Sequence, residues 1–316
     1  MKRNTIGKLI LLGATSVAAI HIINRIQYSR STMKNILSSA DNLFYEWRFG
    51  KIRYTKKGSG SPILLIHDLT VGSSSYEFSK ITNQLSKKHE VYCLDLLGYG
   101  LSDKPEITFT NYLYVQLISD FVKNIIGKKT DMVAVGHSFP VAVLCCHNDS
   151  ELFRNLVGIN PQSLFQLNQI PSKQTKVLKY LIETPIIGTF VFNIVTDKST
   201  FKTIFRNKLY SDKRKIDVKD VEAYVEASHI SDYRSKYAQA SLLGRYMNAN
   251  IIHALKEVNN SIFIIAGEDK KDNKNIVENY TYFNNAIETV FISETKQLPH
   301  MEKPSEVLKY IDMYLQ

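Results

Sequence analysis

The sequence predicts an α/β fold on a mostly parallel, doubly wound sheet, with a helical insertion and a hydrophobic helix at the N-terminus. Three observations carry that prediction. Continuous apolar runs recur at Ile63 to His67, Val91 to Leu97, Met132 to His137, Leu156 to Asn160, Ile262 to Ala266 and Thr289 to Ile292, as strands covered on both faces require. Between them, Tyr76 to Ser86, Asn111 to Ile126, Val141 to His147, Asn275 to Phe283 and Glu306 to Leu315 have helical spacing, so strand and helix alternate. From 162 to 258 that rhythm stops, and long helical segments such as Val177 to Ile182 and Val218 to Ala227 replace it.

Taken in order, the chain begins with an apolar run, Leu9 to Ile23, flanked by Lys2, Arg3, Lys8, Arg25 and Arg30. No clean cleavage triplet follows it, so the reading is an uncleaved anchor over Thr5 to Asn24, with Lys8 snorkelling to the interface. Three basic residues precede the run and three follow it soon after, counting Lys34, and the charge rule selects neither orientation. Leu43 to Phe49 and Lys51 to Tyr54 then alternate apolar and polar residues about Gly50, as an antiparallel hairpin does. The organisation is therefore an anchor and linker over 1–40, a core over 41–161 and 259–316, and a helical cap over 162–258.

Composition narrows the function classes. With 316 residues, 44% of them hydrophobic, the chain can bury a full core. Its formal net charge of +10 is spread along the sequence without interleaved stacking aromatics, which argues against nucleic acid and for a solvated surface drawn to anionic lipid. The three cysteines, Cys93, Cys145 and Cys146, have neither disulfide nor metal-ligand spacing. There is no dinucleotide glycine fingerprint, phosphate loop or metal-ligand cluster, so no cofactor and no metal are expected.

Chemistry enters at Val133-Ala134-Val135-Gly136-His137-Ser138-Phe139-Pro140, a buried strand running through a short turn into a helix. Upstream stands Cys93-Leu94-Asp95-Leu96-Leu97-Gly98-Tyr99-Gly100-Leu101-Ser102-Asp103-Lys104-Pro105, and the tail carries Lys296-Gln297-Leu298-Pro299-His300-Met301-Glu302-Lys303-Pro304. On these motifs the chain resembles the α/β-hydrolase family over nearly all of residues 41–316. The resemblance implies a serine nucleophile, Ser138, on a strained elbow, with the amides of Phe139 and Leu69 completing an oxyanion hole. It also implies a carboxylate after the late strand, for which Asp269 and Asp272 are the candidates, and His300 as the base. A haloalkane or epoxide mechanism would need a carboxylate at the elbow instead of this serine.

Four positions depart from the family pattern. Asp68 replaces the glycine of the His-Gly motif, Pro140 replaces the second elbow glycine, Lys270 stands where the acid is expected and Gln297 where the catalytic histidine is expected. An amide does not take up a proton near neutral pH, so either His300 supplies the base that Gln297 does not, or the base is missing.

Two readings follow. In the first, Ser138 attacks a carboxylic ester, lipid-like given the apolar cap residues Leu178, Leu181, Ile186, Phe190, Val191 and Phe192, and an acyl-enzyme is hydrolysed. In the second, the fold is a pseudoenzyme kept as a membrane-associated binding or scaffold protein. The discriminating feature is whether a His300 nitrogen reaches Ser138.

Overall fold

The computed structural model describes residues 2–232 and 234–315; within the first helix, side chains are described at Thr15 and from residue 18 onward. That helix, α1 (Lys2–Thr32), leads through a linker to β1 (Leu43–Trp47) and β2 (Gly50–Lys57). The hairpin read around Gly50 is present, with Leu43 opposite Tyr54 and Trp47 opposite Gly50. Gly50 turns at φ +141°, where an added Cβ would meet the Asp103 side chain at 2.7 Å.

The strand-helix alternation then builds β3 (Ser61–Ile66), α2 (Thr82–Leu85), β4 (His89–Leu94), α3 (Asn111–Phe121), β5 (Thr130–Val135), α4 (Ser138–Asn148) and β6 (Phe153–Ile159). Between β6 and β7 the described residues carry no strand. They form α5 (Leu164–Leu167), α6 (Lys173–Glu183), α7 (Ile187–Val195), α8 (Lys198–Ile204), α9 (Val218–His229), α10 (Ser235–Leu243) and α11 (Ile252–Glu257). The chain closes with β7 (Ile262–Gly267), α12 (Asn273–Phe283), β8 (Glu288–Ile292), α13 (Pro299–Glu302) and α14 (Pro304–Tyr314).

The eight strands lie in the order β1-β2-β4-β3-β5-β6-β7-β8, antiparallel at β1 and β2 and parallel from β4 onward. Successive strand residues serve opposite faces. Leu64 and Ile66 join one core with Phe121 and Ala142, whereas Ile63 and Leu65 join the other with Phe78 and Ile311. All four of these β3 residues are fully buried, which is why the strand reads as an unbroken apolar run.

Two expected elements differ. The helix read over Tyr76 to Ser86 is broken into a 3₁₀ turn, Ser75–Phe78, and the short α2. More consequentially, the run read to His137 stops as strand at Val135, so the turn into α4 begins two residues earlier than the sequence suggests. The apolar run Leu9 to Ile23, read as the anchor, lies largely outside the described side chains. Among the described residues, no single helix is long and apolar enough to cross a membrane.

Candidate functional site

The early turn decides the chemistry. Gly136, at φ +56°, takes the left-handed position between β5 and α4, and Ser138 already belongs to the helix. Ser138 is fully buried, and its hydroxyl donates to the His67 carbonyl at 2.5 Å. The Phe139 amide points back to the Gly136 carbonyl at 3.4 Å, so it is not available as an oxyanion donor. Both expectations, an exposed Ser138 hydroxyl and a free Phe139 amide, are therefore corrected: shifting the apex by two residues rotates them inward.

The amides that do converge are those of Leu69 and His137, and what they bind is Asp68. Its Oδ1 accepts from the Leu69 amide at 2.7 Å, from the His137 amide at 2.8 Å and from His137 Nδ1 at 3.0 Å. Leu69 is thus a donor as expected, with a carboxylate of the chain itself as its acceptor. Burial opposes the Asp68 charge, but the His137 ring and the two amides outweigh it and hold the carboxyl below its ordinary range. Gly136 and Asp68 are sterically matched, because a Cβ at 136 would lie 2.5 Å from the Asp68 carboxyl atoms.

Behind Asp68 lies a second buried acid. Glu77 accepts from the Tyr224 hydroxyl at 2.8 Å and from the Asp68 amide at 3.2 Å. Burial, with the Asp68 charge beside it, pushes its carboxyl up to about 8. His67 is structural: the Leu96 amide donates to its Nε2 at 3.0 Å, which leaves Nδ1 to donate to the Asp68 carbonyl at 2.6 Å. Asp95 likewise serves architecture, accepting from the Ser75 and Leu101 amides beneath the Gly98–Gly100 loop.

The acid and base loops do not assemble a relay. His300 is fully buried with its ring 5.5 Å from that of Phe78, and neither ring nitrogen has a hydrogen-bond partner. Burial, reinforced by Lys80 and opposed by Asp68, lowers its pKa to about 3. Asp269 is exposed and takes the Ser211 hydroxyl; Asp272 is exposed at the start of α12 with φ +59°. The assignment of either to orient His300 is corrected accordingly, since α13 carries the histidine into the core while both acids face outward. Lys270, in the position expected for the acid, reaches the Asn160 carbonyl at 3.4 Å, and burial, partly offset by Asp68, lowers its ammonium to about 8.

Asn160 ties these loops together from the end of β6, at φ +48°. Its Nδ2 donates to the Lys296 and Gln297 carbonyls at 2.7 and 2.8 Å, while its Oδ1 accepts from the Gly267 amide and from Asn273. That clamp fixes the Gln297 backbone beside a cavity of about 430 Å³. Asp68, His137 and Gln297 line this cavity together with Phe201, Leu209 and Tyr224. Ser138 and His300 are not among its walls. The cap residues taken to point to a lipid-like substrate do not line it: Leu178, Leu181 and Val191 are exposed on the outside and Phe192 is buried. Sequence reasoning missed Glu77, Tyr224 and the pairing of His137 with Asp68. The available signal was Gly136, the one residue of that motif that adopts a left-handed turn at little cost.

A strand-order reversal, a turn from β5 into a helix and converging amides beside it define the α/β-hydrolase architecture. The model of the alpha/beta hydrolase family matches residues 63–309, and the chain belongs to that family. It is 33% identical over 72 residues to a 2-hydroxy-6-oxo-6-(2'-aminophenyl)hexa-2,4-dienoic acid hydrolase of Metapseudomonas resinovorans, a match spanning 22% of this chain and 25% of that one. It is 23% identical over 218 residues to a 2-(acetamidomethylene)succinate hydrolase of Mesorhizobium japonicum, spanning 68% and 73% of the two chains. Among solved structures, a membrane phospholipase A described as a bacterial virulence factor superimposes with a TM-score of 0.68 at 16% identity, over 100% of this chain and 98% of that one.

Proposed function

We propose that this member of the hydrolase family is a membrane-associated protein that binds a small-molecule or lipid-like ligand in the cap cavity and forms no acyl-enzyme through Ser138. One observation carries the reading: Asp68 Oδ1 takes both amides that a developing oxyanion would need. A fixed negative charge there opposes further negative charge, so the electrostatic stabilisation on which acyl transfer relies is absent at this point of the site. Cavity walls of Phe201, Leu209 and Tyr224 with Gln297 and His137 suit a ligand with an apolar body and a polar head. Support for membrane association comes from the apolar run Leu9 to Ile23 with its basic flanks, and from the full-length likeness to a membrane phospholipase.

The second reading, hydrolysis of a carboxylic ester by Ser138, is favoured by family membership and by the named activities of the relatives. A serine-directed fluorophosphonate separates the two. The native chain is expected to remain unlabelled while a monoacyl ligand binds it in calorimetry, and filling the cavity by Leu209→Trp is expected to abolish binding. Labelling of the native chain that disappears in Ser138→Ala would establish the second reading instead.

A further inference from the structure

Helix α7 is amphipathic in the wrong sense for water. Its inward residues are Gly188, Thr189, Phe192 and Asn193, whereas Ile187, Val191, Ile194 and Val195, spaced along one helical face, are 68%, 47%, 53% and 48% exposed. Helix α6 adds Leu181 at 55% and Tyr180 at 71%. Isolated exposed apolar residues are ordinary; a contiguous face of this kind is not.

Three further observations bear on what covers it. First, α1 docks on α7, with Asn193 donating to Asn24 at 2.8 Å in a buried contact, and α1 itself leaves Ile22, Ile23 and Ile26 exposed. Helix α7 thus packs directly on the helix whose upstream residues form the apolar run with basic flanks. Second, α6 and α7 together are apolar enough for a membrane-crossing segment but bend by 95°, a shape that cannot run straight through a bilayer and can lie in its surface. Third, exposed Lys173 and Lys176 stand before the apolar stretch and exposed Lys202 after it, the basic flanks that anionic headgroups attract.

We infer that the α6–α7 elbow, with the adjoining outer face of α1, is a membrane-embedding surface that seats the cap in the headgroup–acyl boundary of a bilayer containing anionic lipid. It rests on the membrane-association reading and adds a defined docking face to it. Helix α8, which follows α7 directly, supplies Phe201 and Ile204 to the cavity wall, so the embedded elbow holds the cavity close to the lipid surface.

The test uses the full chain reconstituted in phosphatidylcholine–phosphatidylglycerol vesicles. All three native cysteines are buried, so single cysteines introduced as Ile187→Cys, Val191→Cys or Ile194→Cys take an environment-sensitive fluorophore selectively. Glu151→Cys, before β6 at the opposite end of the sheet and 88% exposed, is the control. Burial about 5–10 Å into the boundary predicts blue-shifted emission at the three cap sites and quenching by acyl-chain nitroxide lipids on the order of twofold or more above the control. A chain that floats with the vesicles while its cap labels behave like the control overturns the inference and leaves the anchoring intact. A chain that does not float overturns both. Cap labels shielded from water yet insensitive to nitroxide lipid point to a second copy as the covering partner and also overturn it.

Discussion

Replacing Gly136 by serine should reveal how the site is locked. At φ +56° a residue with a side chain costs about 1–2 kcal/mol in backbone strain. The steric cost is greater, because the new Cβ would lie 2.5 Å from the Asp68 carboxyl, which must move. Moving it breaks bonds of 2.7, 2.8 and 3.0 Å to one oxygen. Hydrogen bonds to a charged group contribute about 1.5–3 kcal/mol each, and losing even two brings Gly136→Ser to roughly 4–8 kcal/mol in all. That is a large part of a typical domain's stability. In an Asp68→Gly background the obstruction is gone, and Gly136→Ser should cost only the strain. A double-mutant cycle by urea denaturation should therefore give a favourable coupling of at least about 2 kcal/mol. Additivity within about 0.5 kcal/mol would refute the claim that Asp68 stands over the turn. The chemical counterpart is the triple variant Asp68→Gly, Gly136→Ser, Gln297→His, which places a serine at the apex, frees the Leu69 and His137 amides and adds a base. Fluorophosphonate labelling is expected there and not in Gln297→His alone.

Other predictions concern the buried charges and the clamp. His300, held near 3 against 6.5 in the unfolded chain, binds fewer protons when folded, so stability falls as pH drops from 6.5 toward 3, by about 1.4 kcal/mol per unit. Glu77, held near 8 against 4.5, acts in the opposite sense, its contribution being full below 4.5 and lost as pH rises through 8. Between 4.5 and 6.5 the two slopes oppose each other. His300→Leu should then lose stability with rising pH across that window and Glu77→Gln should gain it, as urea midpoints will read; parallel slopes in both variants would contradict the opposed titrations. Asn160→Ala removes the acceptor for Gly267 and Asn273 and the donors to two carbonyls, and an unfolding free energy lower by about 2–4 kcal/mol is expected. Gly267→Ala should be as damaging, since its Cβ would fall 2.0 Å from the Lys296 carbonyl oxygen; a melting temperature within error of the native chain would contradict the clamp.

Much of the architecture was legible because it obeys two periodicities. Ile63 to Ile66 alternate between two cores, so the strand reads as an unbroken apolar run, and Gly50 marks the hairpin. The departures at Asp68, Lys270 and Gln297 were legible as substitutions, but their consequences were not. Aligning Ser138 with a nucleophile assumes that the strand ends where the motif says. The structure ends it at Val135, and a two-residue change in a turn exchanges a surface hydroxyl for a buried one. His300 posed the same problem: a histidine close in sequence to the expected position is, as the second residue of α13, against Phe78 in the core. Periodicity reports which face a residue occupies within an element, whereas a site depends on where the element stops.

The substitutions at the site are also mutually dependent, which bears on how the family fold came to carry them. Asp68 needs Gly136 for room and the Leu69 and His137 amides for its charge; Lys270 lies close enough to feel that charge. A carboxylate in this position would be costly in an active acyl-transfer site, but here three donors compensate it and the neighbouring Glu77 stays protonated at neutral pH. Two of the departures, Asp68 and Lys270, are thus coupled through charge, and the result is a polar floor under a cavity walled by Phe201, Leu209 and Tyr224. Such a floor is suited to holding a ligand's head group, and restoring any single catalytic residue would leave it in place.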